Sequence, residues 1–158
     1  MKSVKRTYYR HGQLESEAPY VDGKKHGIAK WYWENGQLRL ETSYVNGKRY
    51  GTEKEYYKNG QLLRKVPCIN DIIHGTAKWY YENGQLFGKI SYGKKHGIEK
   101  WYYEHYDENG QLKKVFVYYN GQNVTEEVLK MNKLEILVKY GPQIAEVIEE
   151  YRSMKIKK

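Results

Sequence analysis

The chain has 158 residues, of which 28 are Lys or Arg and 19 are Asp or Glu, so its formal net charge is +9. Its length is that of one ordinary domain, and its single cysteine, Cys68, excludes an internal disulfide framework and a cysteine-based zinc site. The sequence has no apolar run long enough for a signal peptide or a membrane-spanning helix, so we expect a cytoplasmic protein.

The tetrapeptide Asn-Gly-Gln-Leu recurs along the chain at a regular interval. It begins at Asn35, Asn59, Asn83 and Asn109, and residues 11–14 form an imperfect earlier copy. The period of 24 residues, which becomes 26 before the last copy, is typical of an array in which each unit packs mainly on its neighbours. We predict about five such repeats over residues 1–121 and a helical cap over residues 122–158.

Each repeat is predicted to be a β-hairpin. Lys and aromatic residues precede each Asn-Gly, and aromatic side chains favour strands. Asn-Gly between two such runs predicts a two-residue type I′ turn, because that turn needs positive φ at both central residues. With Asn35 and Gly36 in the turn, the hairpin pairs Trp33 with Leu38, Tyr32 with Arg39, Trp31 with Leu40 and Lys30 with Glu41.

Two candidate surfaces follow from this register, because strand side chains alternate between faces. The first, a candidate binding face, is predicted to contain Lys30, Tyr32, Lys54, Tyr56, Lys78, Tyr80, Lys100 and Tyr102. The second, a candidate apolar packing or dimer face, is predicted to contain Trp31, Trp33, Leu38, Trp79, Tyr81, Leu86 and Trp101. The lysine row either recognises an anionic partner or is only a solvated surface whose stems lie on tyrosine rings.

The units resemble MORN repeats, and more closely the MORN variant form found in bacteria, protists and large DNA viruses. The resemblance rests on Tyr-Tyr-Glu-Asn-Gly-Gln-Leu at residues 80–86 and on Asn-Gly-Lys-x-x-Gly at residues 46–51, and it covers roughly residues 5–121. It implies a mainly β fold, an elongated single-layer antiparallel sheet of stacked hairpins. The third unit is irregular, since Glu55 stands where other units have Trp and Cys68 stands where the preceding unit has Tyr44.

From Thr125 the apolar period becomes helical. Thr125 is a predicted N-cap residue, and an apolar helical stretch follows it as far as residues 140–142. A second helix is predicted from Pro142, because Ile144, Val147 and later apolar residues share one helical face. We expect these helices to cap the last hairpins, since an open sheet edge needs covering. The alternative is a docking or dimerisation element.

The residues suggest no catalytic chemistry. His26, His74 and His96 recur with the repeat, but equivalent positions in successive hairpins are about 9.5 Å apart, and zinc ligands each lie about 2 Å from one ion. We therefore predict a structural role for these histidines and no metal site. No nucleophile elbow, phosphate-binding loop or paired-carboxylate pattern occurs, so we predict that the protein is not an enzyme and holds no cofactor.

Three functions agree with these features. The first is a scaffold that mediates protein–protein interaction or self-association, with a homodimer suggested by the Trp stripe, because a bare apolar face is unusual for a monomer. The second is an antitoxin-like or immunity protein that neutralises one partner, which only the labels of bacterial MORN-variant proteins imply. The third is a basic surface that binds anionic lipid or nucleic acid and loses affinity steeply with salt.

Overall fold

The computed structural model describes residues 1–95, 98–119 and 122–156, and for residues 92–95, 98–104, 154 and 156 it describes the backbone alone. The strands are β1 (Lys2–Tyr8), β2 (Leu14–Val21), β3 (Lys24–Lys25), β4 (Gly27–Tyr32), β5 (Leu38–Val45), β6 (Lys48–Tyr56), β7 (Leu62–Ile69), β8 (Ile72–Ile73), β9 (Gly75–Tyr80), β10 (Leu86–Lys95), β11 (Ile98–Tyr106), β12 (Leu112–Tyr119) and β13 (Gln122–Asn123). The helices are α1 (Thr125–Lys130), α2 (Lys133–Tyr140) and α3 (Pro142–Ile156).

The chain divides into two compact units, Met1–Gly84 and Gln85–Lys158. In the first unit neighbouring strands follow the order β1-β2-β4-β5-β6-β7-β9, with β3 beside β2 and β8 beside β7. In the second unit the order is β10-β11-β12-β13, and the three helices follow in the chain. The strand pairs within each unit are antiparallel. The predicted fold class, mainly β with stacked antiparallel hairpins and C-terminal helices, is confirmed.

The Asn-Gly turn differs from the prediction. In the second hairpin the N–H of Trp33 donates to the carbonyl of Gln37 at 2.8 Å, and the N–H of Gly36 donates to the carbonyl of Trp33 at 2.8 Å. The loop therefore has three residues, Glu34 to Gly36, and the positive φ is confined to Gly36 at 83°. The predicted two-residue type I′ turn is wrong, since a three-residue loop closed by a left-handed glycine replaces it.

A one-residue bulge follows this loop. Trp31 pairs with Leu40 as predicted, whereas Tyr32 pairs with Leu38, which leaves Arg39 without a partner in the ladder. The predicted pairs of Trp33 with Leu38 and of Tyr32 with Arg39 are therefore wrong. An odd loop alone would turn every later side chain to the opposite face, and the extra residue reverses that shift. Equivalent register shifts precede the pairs Tyr8–Leu14, Tyr56–Leu62 and Tyr106–Leu112.

A row of buried side chains, most of them small, crosses the strands of the first unit. Its members, each at most 9% exposed, are Ala18, Ala29, Thr42, Glu53, Val66 and Ala77. The buried carboxylate of Glu53 is fully engaged, because it accepts from the Thr42 hydroxyl at 3.2 Å and pairs with the guanidinium groups of Arg49 and Arg64. A buried charge needs such partners to offset the loss of water.

The main apolar core lies in the second unit, where the helices pack on β12. Val117, Val128, Ile136 and Ile148 are completely buried. Alternation along β12 turns Val117 into this core and leaves Phe116 exposed. The helices therefore cover one face of the strand.

The helical segment is broken where the sequence predicted one continuous stretch. Asn132 caps α2, since its side chain accepts from the N–H of Glu135 at 3.0 Å and the Glu135 carboxylate accepts from the N–H of Asn132 at 2.7 Å. The Arg152 guanidinium of α3 donates to the carbonyls of Leu129 and Met131, which satisfies the end of α1. Thr125 is not the N-cap residue but the first residue of α1.

Replacing Gly36 with Ala is expected to lower the free energy of unfolding by about 1–2 kcal/mol, because a side chain is strained in the left-handed region. Its Cβ would also lie 3.3 Å from the Gln13 amide nitrogen. Gly36→Asn should cost less, since Asn tolerates this conformation. Urea unfolding followed by tryptophan fluorescence measures both variants, and an equal loss would contradict the backbone explanation.

Truncating Ile148 to Ala is expected to cost about 2–5 kcal/mol, because it leaves a cavity in the core of the second unit. The matched control is Val138→Ala on α2, where the side chain is 81% exposed; its effect should stay within about 0.5 kcal/mol. Urea unfolding followed by circular dichroism at the helical band measures both. A similar cost for the two variants would show that the helices do not bury Ile148 as described.

Candidate functional site

One face of the first unit carries a continuous row of charged side chains across six neighbouring strands. We call this surface, together with Tyr32, Tyr56 and Tyr80, the Lys/Tyr face. In order across the sheet the row is Glu17, Lys30, Glu41, Lys54, Lys65 and Lys78. The predicted candidate face listed only the lysines of alternate strands, although the predicted register already placed Glu41 opposite Lys30. The intervening strands add Glu, Glu and then Lys, so the row is balanced at one end and basic at the other.

In the first two repeats the acids of this row are bound by their neighbours. The Lys54 ammonium lies 2.8 Å from the Glu41 carboxylate, and the Tyr56 hydroxyl donates to the same oxygen at 3.2 Å. The Tyr32 hydroxyl likewise donates to Glu17 at 3.1 Å. Carboxylates therefore bring the predicted Lys and Tyr residues together here. The sequence predicted Glu41 opposite Lys30, but it did not predict Glu17 or the contacts of Glu41 with Lys54 and Tyr56.

These contacts shift the ionisation of the groups involved. The hydrogen bond from Lys54 is the largest influence on the pKa of Glu41 and lowers it below its ordinary value, although burial acts in the opposite direction. Burial, and then the charge of Glu41, raise the pKa of Tyr56. Burial and the hydrogen bond to Glu17 raise the pKa of Tyr32. The Glu41 carboxylate thus stays charged, and the Tyr32 and Tyr56 phenols stay neutral, at physiological pH.

The third repeat lacks this neutralisation. Lys65 occupies the position of Glu17 and Glu41, and it lies opposite both Lys54 and Lys78. Among the described residues no carboxylate pairs with Lys65 or Lys78. Like charges placed directly opposite each other repel, so this part of the row favours an external anion. The predicted Lys100 and Tyr102 lie outside the side chains that the structure describes.

The opposite face, which we call the Trp face, is largely occupied by contacts between repeats. The Trp33 indole donates to the carbonyl of Tyr56 at 3.1 Å. At the equivalent positions of the neighbouring repeats, the Tyr9 and Tyr57 hydroxyls donate to the carbonyls of Tyr32 and Tyr80 at 2.6 Å and 2.8 Å. These side chains link one hairpin to the next, a role that the predicted dimer face did not include.

Cations also cover the Trp face. The Arg39 guanidinium lies 4.6 Å from the Trp33 ring centroid, and the Lys25 ammonium lies 5.2 Å from that of Trp31. Where Glu55 interrupts the aromatic row, it pairs with Arg64 at 2.6 Å, and Arg64 lies opposite Trp79. The predicted break in the stripe is therefore filled by an ion pair.

The structure places two of the remaining predicted residues away from the Trp face. Leu38 pairs with Tyr32, so the bulge moves it away from the Trp side of the hairpin. Leu86 packs against the core of the second unit. Tyr81 is half-buried, and its carbonyl accepts the turn hydrogen bond of Gly84. Trp101 lies outside the described side chains.

The Asn and Gln of the repeated tetrapeptide connect successive turns. The Asn35 side chain accepts from the N–H of Gln37 at 3.1 Å and donates to the carbonyl of Lys58 in the next turn at 3.2 Å. The Gln37 amide oxygen lies against Gly60, where an added Cβ would come within 3.3 Å of it. The recurrence of the motif was the available signal, but a single hairpin cannot reveal contacts made to its neighbour.

The structure describes two of the three recurring histidines. His26 and His74 are exposed, and their backbone N–H groups donate to the carbonyls of Pro19 and Pro67 at 2.9 Å. His96 lies outside the described residues. In the part of the chain that the structure describes, no three His, Cys, Asp or Glu side chains are grouped to hold a metal ion, and no helix has the length and apolar character to cross a membrane. Cys68 is buried.

Replacing Glu41 with Gln is expected to destabilise the first unit at pH 7 but much less at about pH 3. The folded pKa of Glu41 is lowered, so its stabilising effect is present above the unfolded pKa and is lost as the pH falls through the folded pKa. Urea unfolding at both pH values measures the difference from the unaltered chain. Glu34→Gln, an equal charge change at an exposed turn residue, should show no comparable effect, and a pH-independent cost for Glu41→Gln would contradict the ion-pair origin.

The sequence profile described as the MORN repeat variant matches residues 4–22, 25–46, 49–70 and 73–94. These four stretches cover more than half of the chain and follow the repeat period. A search of curated proteins finds no match to the chain. On the repeated hairpins and this profile, the chain belongs to the MORN repeat variant family.

Proposed function

We propose that this protein is a non-enzymatic repeat scaffold that binds a partner protein through its Lys/Tyr face. Membership of the MORN repeat variant family supports a scaffold in general terms. The observation that carries the choice of face is the gradient along the charged row, from neutralised pairs at Glu17 and Glu41 to the adjacent cations of the third repeat.

The distribution of internal contacts favours the same face. Trp33 and its equivalents donate their side-chain hydrogen bonds to neighbouring hairpins, and cations cover the Trp31 and Trp33 rings. A self-association surface on the Trp face would have to displace these contacts. The Lys/Tyr face offers half-buried lysine stems with charged ends, an arrangement that provides both apolar contact area and charge complementarity.

Neutralisation of a toxin by an antitoxin-like protein is one special case of such partner binding. No particular residue favours this case over other partners. Binding to nucleic acid or anionic lipid is the other alternative. The adjacent lysines Lys65 and Lys78 lie at one end of the charged row, whereas the first two repeats place carboxylates on the same face. Those carboxylates would repel a polyanion that followed the whole face, so a partner with localised acidic groups fits better.

Quantitative affinity capture from the native cell tests the proposal. The protein should retain a discrete partner that persists after nuclease treatment and detergent washing. The variant Lys30→Glu with Lys78→Glu should lose that partner, because both side chains lie in the charged row. The control, Arg10→Glu with Lys58→Glu, makes the same charge change at exposed turn residues and should retain it.

The captured partner must then bind the purified protein directly, with the same dependence on Lys30 and Lys78. Equal loss in both double variants would indicate only a general effect of net charge and would contradict recognition by the face. Retention that disappears with nuclease, or that occurs only on anionic vesicles, would replace the scaffold with the nucleic-acid or lipid function.

A further inference from the structure

The hairpin β7–β8 departs from the equivalent hairpins of the first two repeats at exposed positions. The corresponding segments are Val21-Asp22-Gly23-Lys24-Lys25, Val45-Asn46-Gly47-Lys48-Arg49 and Ile69-Asn70-Asp71-Ile72-Ile73. Two isoleucines thus stand where the other repeats carry cations. On the same strand, Lys65 stands where they carry Glu17 and Glu41. Compared with the first two repeats, the third repeat therefore has apolar groups in place of cations on β8 and a cation, Lys65, in place of an anion on β7.

The register places the apolar group on the Lys/Tyr face. Tyr50 pairs with Ile69, and Ile69 pairs with Ile72, so the three side chains are direct neighbours on one side of the sheet. They are 50%, 41% and 70% exposed. Along β7, Lys65 and Ile69 are four residues apart and share a face. The distance between these two positions is about 13 Å at about 3.3 Å per residue.

This exposed patch is held in a defined conformation. Asn70 and Asp71 both have positive φ, at 51° and 68°, which forms a tight turn between β7 and β8. The Asp71 carboxylate accepts from the backbone N–H of Arg49 at 3.0 Å and from its guanidinium at 3.3 Å. The isoleucines are therefore presented on a fixed hairpin and need little ordering when a partner binds.

Folding does not explain the exposed side chains. On β7 the opposite face carries Val66 and Cys68, which are 4% and 2% exposed and supply the burial that the strand needs. Ile72 remains 70% exposed, and Lys65 lies between two other lysines. An apolar cluster beside unneutralised cations has the character of an interaction surface.

We propose that this surface, formed by Lys65 and Lys78 at one end and Tyr50, Ile69 and Ile72 at the other, binds an amphipathic acidic helix of a partner protein. Carboxylates of the helix would meet the lysines, and aliphatic side chains would cover the isoleucines. This inference rests on the proposed scaffold function and specifies its partner.

A helix fits better than an extended segment. The surface is a sheet face, and a strand laid on it would leave its backbone N–H and carbonyl groups without partners, whereas a helix satisfies its own. The separation of about 13 Å corresponds to roughly eight or nine helical residues at 1.5 Å each. The helix would therefore carry its acids in the first two turns and its aliphatic residues in the next two turns of the same face.

The first two repeats supply the test variant. Lys65→Glu with Ile72→Lys gives the third repeat the residues that its neighbours carry at these positions, so it should fold with an unchanged melting temperature. The control, Val45→Lys with Lys48→Glu, changes the net charge equally and alters a neighbouring exposed pair in the second repeat.

The probe is a fluorescently labelled helical peptide with three glutamates on its first two turns and three leucines on the same face of the next two. Anisotropy titration of the full chain should give saturable binding. The variant Lys65→Glu with Ile72→Lys should bind the peptide at least tenfold more weakly than the unaltered chain. The control, Val45→Lys with Lys48→Glu, should bind it within twofold of the unaltered chain. A peptide with glutamines in place of the glutamates should also bind at least tenfold more weakly.

Equal affinity of the two double variants, or no binding of the peptide to the unaltered chain, would overturn the inference. Binding to phosphatidylserine vesicles with no binding to the peptide would also overturn it, in favour of a lipid surface. Partner capture that depends on Lys30 and Lys78 while the peptide fails would leave the scaffold function standing without this partner. Peptide binding with no captured partner would instead leave the surface established and the scaffold function unsupported.

Discussion

The architecture depends on keeping each side chain on its own face while the chain reverses direction at every turn. A strand alternates its side chains strictly, so an odd insertion moves all later residues to the wrong side. The three-residue loop at Gly36 is such an insertion, and the unpaired Arg39 reverses it. The same combination in several hairpins keeps Ala29, Thr42 and their equivalents buried and keeps the charged row on the other face.

The contacts between hairpins explain why the repeat has so characteristic a sequence. Asn35 binds its own turn and the next, Gln37 lies against the following glycine, and Trp33 reaches the carbonyl of Tyr56. Because these links join neighbouring units, stability is distributed along the array instead of being concentrated in one large core. The second unit differs, since three helices bury one face of β12 in an apolar cluster.

This division frees the Lys/Tyr face to vary. The change from Glu41 to Lys65 at equivalent positions leaves the strand register intact. The scaffold can therefore carry neutralised pairs in one repeat and an uncompensated cationic and apolar surface in another. Such local variation on a constant frame allows a repeat protein to recognise a partner at one place along its length.

How much the sequence predicted depended on the range of the interactions involved. The period followed from the recurrence of the tetrapeptide. Residues within one hairpin were enough to predict the strand positions, the separation of the two faces, and the pairing of Trp31 with Leu40 and of Lys30 with Glu41. The turn type was missed because Asn-Gly suits both a two-residue turn and a three-residue loop, and only backbone geometry distinguishes them. Similarly, the break at Asn132 was hidden in an apolar run, where a capping box ended one helix and began another.

The sequence by itself determined a repeated antiparallel hairpin array, because local alternation and turn residues act over a few positions. Only the tertiary structure decided what the candidate site contains. Glu17 and Lys30 come from successive repeats, as do Glu41 and Lys54, and hydrogen bonding between neighbouring hairpins brings them into one row. Whether a lysine is neutralised or available to a partner is therefore a property of neighbouring strands, since charge pairing acts through space and not along the chain.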